Sequence, residues 1–105
     1  MKIAYCGYDF FVDCFDVLIK DKHTILKVFS NPCDNKYEFN LGLKKKTEEL
    51  GVEFTTDRII ETDIQKLVKE GCDLIITAAY PYKVPVFYGM PRAINIHPLG
   101  LKSIK

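Results

Sequence analysis

The sequence predicts an α/β fold in which a parallel sheet is covered by helices on both faces. Strand-length apolar segments alternate three times with segments whose apolar residues recur at helical spacing. Segment 73–77 carries an apolar run without alternation, which is typical of a central parallel strand. Because crossovers between parallel strands are right-handed, we expect a three-layer, Rossmann-like open sheet of about five strands in the order 3-2-1-4-5.

The predicted elements are joined by short connections. Strands are predicted at 2–6, 25–29, 52–55 and 73–77, with a fifth that ends in the run 93–96. Helices are predicted at 9–20, 38–50 and 62–71. Asp9 is a candidate cap for the first helix, and Leu50 and Val68 are expected on the buried sides of the second and third.

Length and charge set limits on the class of protein. The chain has 105 residues, which predicts one domain over 1–105. Hydrophobic residues make up 48% and charged residues 28%, as in ordinary globular proteins, and the net charge of +1 gives no overall attraction to nucleic acid or membranes. The sequence has neither an apolar run of the roughly 20 residues that a membrane span needs nor a signal-peptide pattern, so we expect a cytoplasmic protein.

The four cysteines are widely spaced. Cys6, Cys14, Cys33 and Cys72 include no C-x-x-C pair, so neither a disulfide framework nor a tetrahedral zinc site is expected, and no metal is predicted. Cys14 and Cys72 are expected in the core, where free cysteine is common. Cys6 differs because it ends the first strand.

The stretch 93–98 contains the strongest candidate for chemistry. Alternation along a strand puts Asn95 and His97 on one face, where an amide donor and a proton-transferring imidazole suit reactions at a carbonyl group. The alternative is a strand end capped by two polar residues. Ligands in open parallel sheets bind beyond the carboxyl ends of the strands near the switch point, where this stretch is expected to lie.

Two other segments are predicted to reach the same edge of the sheet. The turn after the first strand lacks G-x-G-x-x-G and G-K-[ST], which disfavours dinucleotides and nucleoside triphosphates. After the fourth strand, Tyr80, Pro81 and Tyr82 offer flat walls for a heteroaromatic ligand, or form ordinary surface packing. Lysines 44–46 are interpreted as a solvated helix face, with a phosphate-binding patch as the alternative.

Three motifs occur in order along the sequence. The opening strand and turn 2–7, with Phe11 and Leu18, form the first motif. The run 73–80 forms the second, and Ile-Asn-Ile-His-Pro at 94–98 forms the third. Together they resemble the N-terminal part of the N10-formyltetrahydrofolate-dependent formyltransferases, the family that includes methionyl-tRNA formyltransferase and the amino-sugar N-formyltransferases, and the third motif is the most diagnostic. The resemblance implies a formyltransferase-like fold and one-carbon chemistry.

The resemblance also implies residue roles. Asn95 would hydrogen-bond the formyl oxygen and stabilise the tetrahedral intermediate, and His97 would act in proton transfer. N10-formyltetrahydrofolate would be the co-substrate, an amine the acceptor, and no metal would take part. The folate pterin pocket would be lined by Ala78, Ala79, Tyr80, Pro81, Tyr82 and Val84. The loop on the acceptor side would consist of Gly7, Tyr8, Asp9 and Phe10.

The sequence departs from the family after Pro98. It continues Leu-Gly-Leu-Lys-Ser-Ile-Lys where the family has Ser-Leu-Leu-Pro, and no aspartate follows Asp73, although the family's third catalytic residue is an Asp beyond this motif. We therefore expect a truncated domain with little or no transferase activity, so its status as an enzyme stays open. The edge of the fifth strand would need self-association or a C-terminal region to cover it. Nucleic acid would be a partner only if the acceptor is tRNA.

Two alternatives remain open from the sequence. One is a catalytically inactive folate-binding or interaction module. The other is a phosphocarrier domain that uses Cys6, which the bulky and acidic turn after Gly7 disfavours because an anionic neighbour raises a thiol pKa and repels phosphate.

Overall fold

The computed structural model describes residues 1–9, 12–30, 41–78 and 80–96. The elements in these residues are, in chain order, β1 (Lys2–Gly7), α1 (Val12–Lys20), β2 (Thr24–Phe29), α2 (Leu41–Glu49), β3 (Glu53–Thr55), α3 (Glu61–Lys69), β4 (Leu74–Ala78) and β5 (Arg92–Ile96). The five strands form one parallel sheet in the order β3-β2-β1-β4-β5, which confirms the predicted fold class and strand order. In the part of the chain described, no helix is long and apolar enough to cross a bilayer.

The register of the sheet brings the carboxyl ends of three strands to one edge. Gly7 at the end of β1 pairs with Ala78 at the end of β4, and Ala78 pairs in turn with Ile96 at the end of β5. Every residue of β4 is buried, as its unalternating apolar run predicts for a central strand. The chain segments that leave β1, β4 and β5 therefore start side by side.

Two apolar layers pack on opposite faces of the sheet because side chains alternate along each strand. On one face, Tyr5 packs edge-to-face on Phe15 of α1 with ring centroids 5.0 Å apart, and Leu43 of α2 joins the same cluster. On the other face, Cys6 and Ile75 pack with Leu67 of α3. Helices α1 and α2 thus cover one face and α3 covers the other.

Several side chains are more exposed than their spacing predicts. Leu50 is 42% exposed because α2 ends at Glu49 and the chain turns there, and Val68 is 41% exposed because it lies beside the narrow buried stripe of Ile64 and Leu67. Both were predicted to be buried, and those predictions are wrong. Cys14 and Cys72 are half-buried and not core residues, since Cys14 flanks the buried stripe of α1 and Cys72 lies in the turn before β4.

Asp9 caps a different helix from the predicted one. Its carboxylate accepts hydrogen bonds from the backbone N–H groups of Gly42 (3.1 Å) and Leu43 (2.8 Å) in the first turn of α2. In the described part of the chain, Asp9 contacts α1 through its backbone carbonyl, which accepts from Val12 N–H at 3.0 Å. A Cβ on Gly42 would lie 3.1 Å from both carboxylate oxygens, so glycine at this position leaves room for the cap. Asp9 therefore ties the turn after β1 to α2.

Replacing Asp9 with alanine should destabilise the domain. The variant leaves two helix-terminal N–H groups without their acceptor, and loss of an N-terminal cap costs about 0.5 to 2 kcal/mol. The free energy of unfolding, measured by urea denaturation, should fall by about that amount. The matched control is Asp57→Ala, because Asp57 is exposed and its carboxylate makes no hydrogen bond within the described ranges. Equal losses in the two variants would show that the cap contributes nothing.

Candidate functional site

An open groove of about 200 Å³ lies at the end of the sheet between β5 and the loop that follows β4. Its walls are formed by residues of β4 and β5 and by the loop after β4. The lining residues are Thr77, Tyr80, Tyr82, Lys83, Val84, Ala93, Ile94 and Asn95. The groove lies alongside β5 and reaches Thr77 and Asn95, each next to the last residue of its strand. Open α/β sheets bind ligands near the carboxyl ends of their strands.

The loop after β4 is fixed by a buried hydrogen bond. The Tyr80 hydroxyl accepts from the backbone N–H of Ile59 at 3.1 Å, just before α3. Tyr80 and Ile59 are both buried in the α3 layer of the core. Pro81 and Pro85, which have no N–H groups to add to the sheet, keep the following residues out of a strand. The loop therefore has a fixed start although it lacks regular secondary structure.

Tyr82 forms the aromatic wall of the groove. Its ring meets that of Tyr80 edge-to-face, with centroids 5.4 Å apart and an interplanar angle of 82°. The guanidinium of Arg58 lies 4.8 Å from the centroid of the Tyr82 ring, within the range of a cation–π contact. These two contacts hold Tyr82 in place from the side of α3 and leave it lining the groove.

Asn95 brings an amide group to the same groove. It lies in β5 directly opposite Thr77 of β4. The Thr77 hydroxyl donates to Asn95 Oδ1 at 2.8 Å and lies 3.4 Å from the backbone carbonyl oxygen of Ile94. The structure thus brings together two parts of the site that the sequence predicts, the amide of Asn95 and the tyrosines of the loop after β4.

Val84, which the sequence also predicts for this pocket, lines the groove with the tyrosines. The remaining predicted residues lie elsewhere or outside the described ranges. Ala78 is fully buried on the opposite face of the sheet, in the cluster with Tyr5. Pro81 is exposed and does not line the groove. His97 and Ala79 lie outside the residues that the structure describes.

The predicted acceptor-side turn has a structural role in the residues described. A Cβ on Gly7 would lie 2.8 Å from the carbonyl oxygen of Ala78, so the close approach of β1 and β4 requires glycine there. Tyr8 is half-buried, and Asp9 caps α2. None of the three lines the groove. Phe10 lies outside the described residues.

Cys6 is buried and not presented to the turn after β1. Its side chain has no exposed surface, and burial raises its thiol pKa well above the ordinary range, with the neighbouring Cys72 adding to the effect. A phosphocarrier cysteine must be accessible and must form a thiolate readily. The placement of Cys6 therefore argues against that alternative.

Sequence patterns did not single out three residues at or beside the groove. Thr77 donates a hydrogen bond to Asn95, Lys83 is the charged residue among the lining side chains, and Arg58 lies over the ring of Tyr82. Their only signal was position, at the end of β4, in the loop after it and in the turn before α3. Within the ranges described, no group of three or more His, Cys, Asp or Glu side chains could hold a metal ion.

No protein-family model matches the chain, and no curated protein matches it. The formyltransferase resemblance therefore depends on the motifs 2–7, 73–80 and 94–98.

Replacing Tyr80 with phenylalanine should destabilise the domain in a pH-dependent way. The variant leaves the buried N–H of Ile59 without an acceptor, which costs about 1 to 3 kcal/mol. Burial raises the pKa of Tyr80 to about 12, partly offset by the Ile59 hydrogen bond. The hydroxyl therefore stabilises the wild type fully below pH 10, and this contribution declines as the pH rises from about 10 towards 12.

The measurement is urea denaturation of the wild type, Tyr80→Phe and Tyr88→Phe at pH 7 and pH 11. Tyr88 is fully exposed, so its variant should match the wild type. The stability gap between wild type and Tyr80→Phe should be smaller at pH 11 than at pH 7. A gap that is absent at pH 7, or that widens at pH 11, would contradict the anchoring role of Tyr80.

Native-state alkylation should distinguish Cys6 from the half-buried cysteines. Iodoacetamide reacts with exposed thiolate, so Cys14 and Cys72 should be modified at least about tenfold faster than Cys6 at pH 8. Peptide mass spectrometry at timed intervals gives the separate rates. The rates should become similar in urea, which is the control for intrinsic reactivity. Equally fast modification of Cys6 in the native protein would show that its thiol is accessible.

Proposed function

We propose that the groove between β5 and the loop after β4 binds a folate of the N10-formyltetrahydrofolate type and presents its formyl group to Asn95. The observation that carries the proposal is that Asn95, Tyr80 and Tyr82 line one groove. An amide donor next to an aromatic wall fits a ligand that joins a carbonyl group to a flat heterocycle. The motif 94–98, which resembles that of the formyltransferases, supports the same ligand.

The apolar part of the groove suits a pterin ring. Tyr82, Val84 and Ala93 offer an aromatic face and aliphatic contacts. Arg58 holds the Tyr82 ring from the side of α3, so less conformational entropy is lost when a ligand packs against it. Lys83 is the charged residue among the lining side chains, so the groove does not repel the negatively charged tail of a folate.

The proposed chemistry is formyl transfer from N10 of the folate to an amine. As the amine attacks, the carbonyl oxygen gains negative charge, and the Nδ2 hydrogens of Asn95 would stabilise that charge. The bond from the formyl carbon to N10 then breaks, and N10 takes up a proton while the new amide loses one. His97 is the proposed proton carrier, because histidine is the side chain that most often transfers protons near neutral pH.

Two forms of the proposal differ in turnover. The first form is formyl transfer to an amine such as that of methionyl-tRNA or an amino sugar. The second form is an inactive folate-binding or interaction module that keeps the groove. An assay that follows release of tetrahydrofolate in the presence of an acceptor separates the two. In both forms we place the protein in the cytoplasm.

Calorimetric titration with 10-formylfolate and folate tests the proposal, because the two ligands differ only in the formyl group. Tyr82→Ala should lower the affinity for both ligands by about tenfold or more, since loss of an aromatic stacking partner costs about 1 to 3 kcal/mol. Asn95→Ala should weaken the binding of 10-formylfolate by about three- to tenfold, because a hydrogen bond contributes about 0.5 to 1.5 kcal/mol. The affinity for folate, which lacks the formyl group, should not change.

Tyr88→Ala is the matched control, because Tyr88 is an aromatic residue of the same loop that is fully exposed and does not line the groove. It should bind both folates as the wild type does. Absence of binding by the wild-type chain, or equal weakening by Tyr88→Ala and Tyr82→Ala, would overturn the proposed site.

A further inference from the structure

We propose that Thr77 is a positioning residue whose hydroxyl holds the amide of Asn95 with its Nδ2 hydrogens available to a carbonyl group in the groove. The hydroxyl donates to Asn95 Oδ1 at 2.8 Å. This inference deepens the proposed function and rests on it, because the carbonyl group in question is the formyl group of the folate. Thr77 would not itself touch the reacting atoms.

The sheet brings the two side chains together. Thr77 and Asn95 are direct partners in the parallel pairing of β4 with β5, although 18 residues separate them in the sequence. Both side chains line the groove. Thr77 is 7% exposed, so water competes little for its hydroxyl, whereas Asn95 is exposed to a ligand. The hydrogen bond thus connects a protected donor to a ligand-facing amide.

The amide of Asn95 has its Oδ1 towards the Thr77 hydroxyl. A separation of 2.8 Å is typical of an O–H···O bond, and 3.4 Å to the carbonyl oxygen of Ile94 is too long to be the main bond of the hydroxyl. The hydroxyl proton therefore goes to Asn95 Oδ1. With Oδ1 engaged, the amide offers its Nδ2 donors to the ligand. The opposite orientation would turn Oδ1 towards the formyl oxygen and repel it.

The Thr77 hydroxyl lies in an otherwise apolar strand. Thr77 is the polar residue in a strand whose other members are Leu74, Ile75, Ile76 and Ala78. A β-branched residue at this position suits the strand, and valine has the same shape without the donor. Among the described residues, the Thr77 hydroxyl makes its shortest hydrogen bond to Asn95. We therefore expect loss of this hydroxyl to change the groove.

Carbon-13 NMR of Asn95 tests the positioning without a ligand. The Cγ chemical shift of Asn95 reports whether its carbonyl accepts a hydrogen bond. It should move in Thr77→Val, which lacks the hydroxyl, and return towards the wild-type value in Thr77→Ser, which keeps it. Thr77→Ala replaces Thr77→Val if valine prevents folding, which thermal denaturation would show. An unchanged Asn95 shift in a folded variant without the hydroxyl would overturn the inference.

Calorimetry with 10-formylfolate and folate tests the consequence for the site. The ratio of the two affinities isolates the formyl contact. Thr77→Val should lower the preference for 10-formylfolate by about three- to tenfold, as expected for loss of one oriented hydrogen bond. Thr77→Ser should keep the preference within about twofold, a rescue that loss of packing alone would not produce.

The outcomes separate this inference from the proposed function. If the wild type prefers 10-formylfolate and Thr77→Val keeps that preference, the positioning role is wrong and the folate site stands. If the wild type binds neither folate, the proposed function is wrong, and the role of Thr77 in presenting Asn95 to a formyl group falls with it. Loss of the preference in Thr77→Val and in Thr77→Ser alike would also overturn the role of the hydroxyl.

Discussion

The parallel pairing of β4 between β1 and β5 is the interaction on which the rest of the molecule depends. All five residues of β4 are buried, so helices must cover both faces of the sheet. The register aligns Gly7, Ala78 and Ile96, so β1, β4 and β5 end at the same edge. The loop after β4 has to leave there, beside β5, and the groove forms between the two.

The residues at the carboxyl end of β1 and those at the carboxyl end of β4 have different roles. On the β1 side, the carboxylate of Asp9 is used by the N–H groups at the start of α2, and the Gly7 turn accommodates the close approach of β4. On the β4 side, Tyr80 is anchored to Ile59, and the side chains beyond it line an open groove. Structural hydrogen bonds therefore occupy one side, while the other presents an amide and an aromatic wall.

Local patterns in the sequence were enough to predict the fold. The unalternating run in β4 indicates a strand that is buried on both faces, and the helical spacing in α1 and α3 indicates helices that are buried on one face. Together these patterns indicate a parallel sheet between two layers of helices. The same patterns failed at helix ends. Leu50 follows the last residue of α2, and Val68 lies at the margin of a narrow stripe, where periodicity does not separate buried from exposed positions.

Contacts between distant residues set the limit for predicting the site. Asn95 and the tyrosines could be identified from residue type and from their place near the ends of strands. Thr77 could not, because its role depends on a pairing register with Asn95 that no local pattern gives. The same holds for Asp9, which caps a helix that starts more than thirty residues later in the chain.

The most direct test of the ligand site is to map it by backbone amide NMR during titration with 10-formylfolate. The groove between β5 and the loop after β4 should respond first, with shifts concentrated at Thr77, Tyr82, Lys83 and Asn95. The charged surface depression near Lys27 and Lys66, which lies beside α3 and lacks aromatic lining, should stay unchanged. Shifts confined to that depression, or no shifts at a saturating concentration, would contradict the folate site.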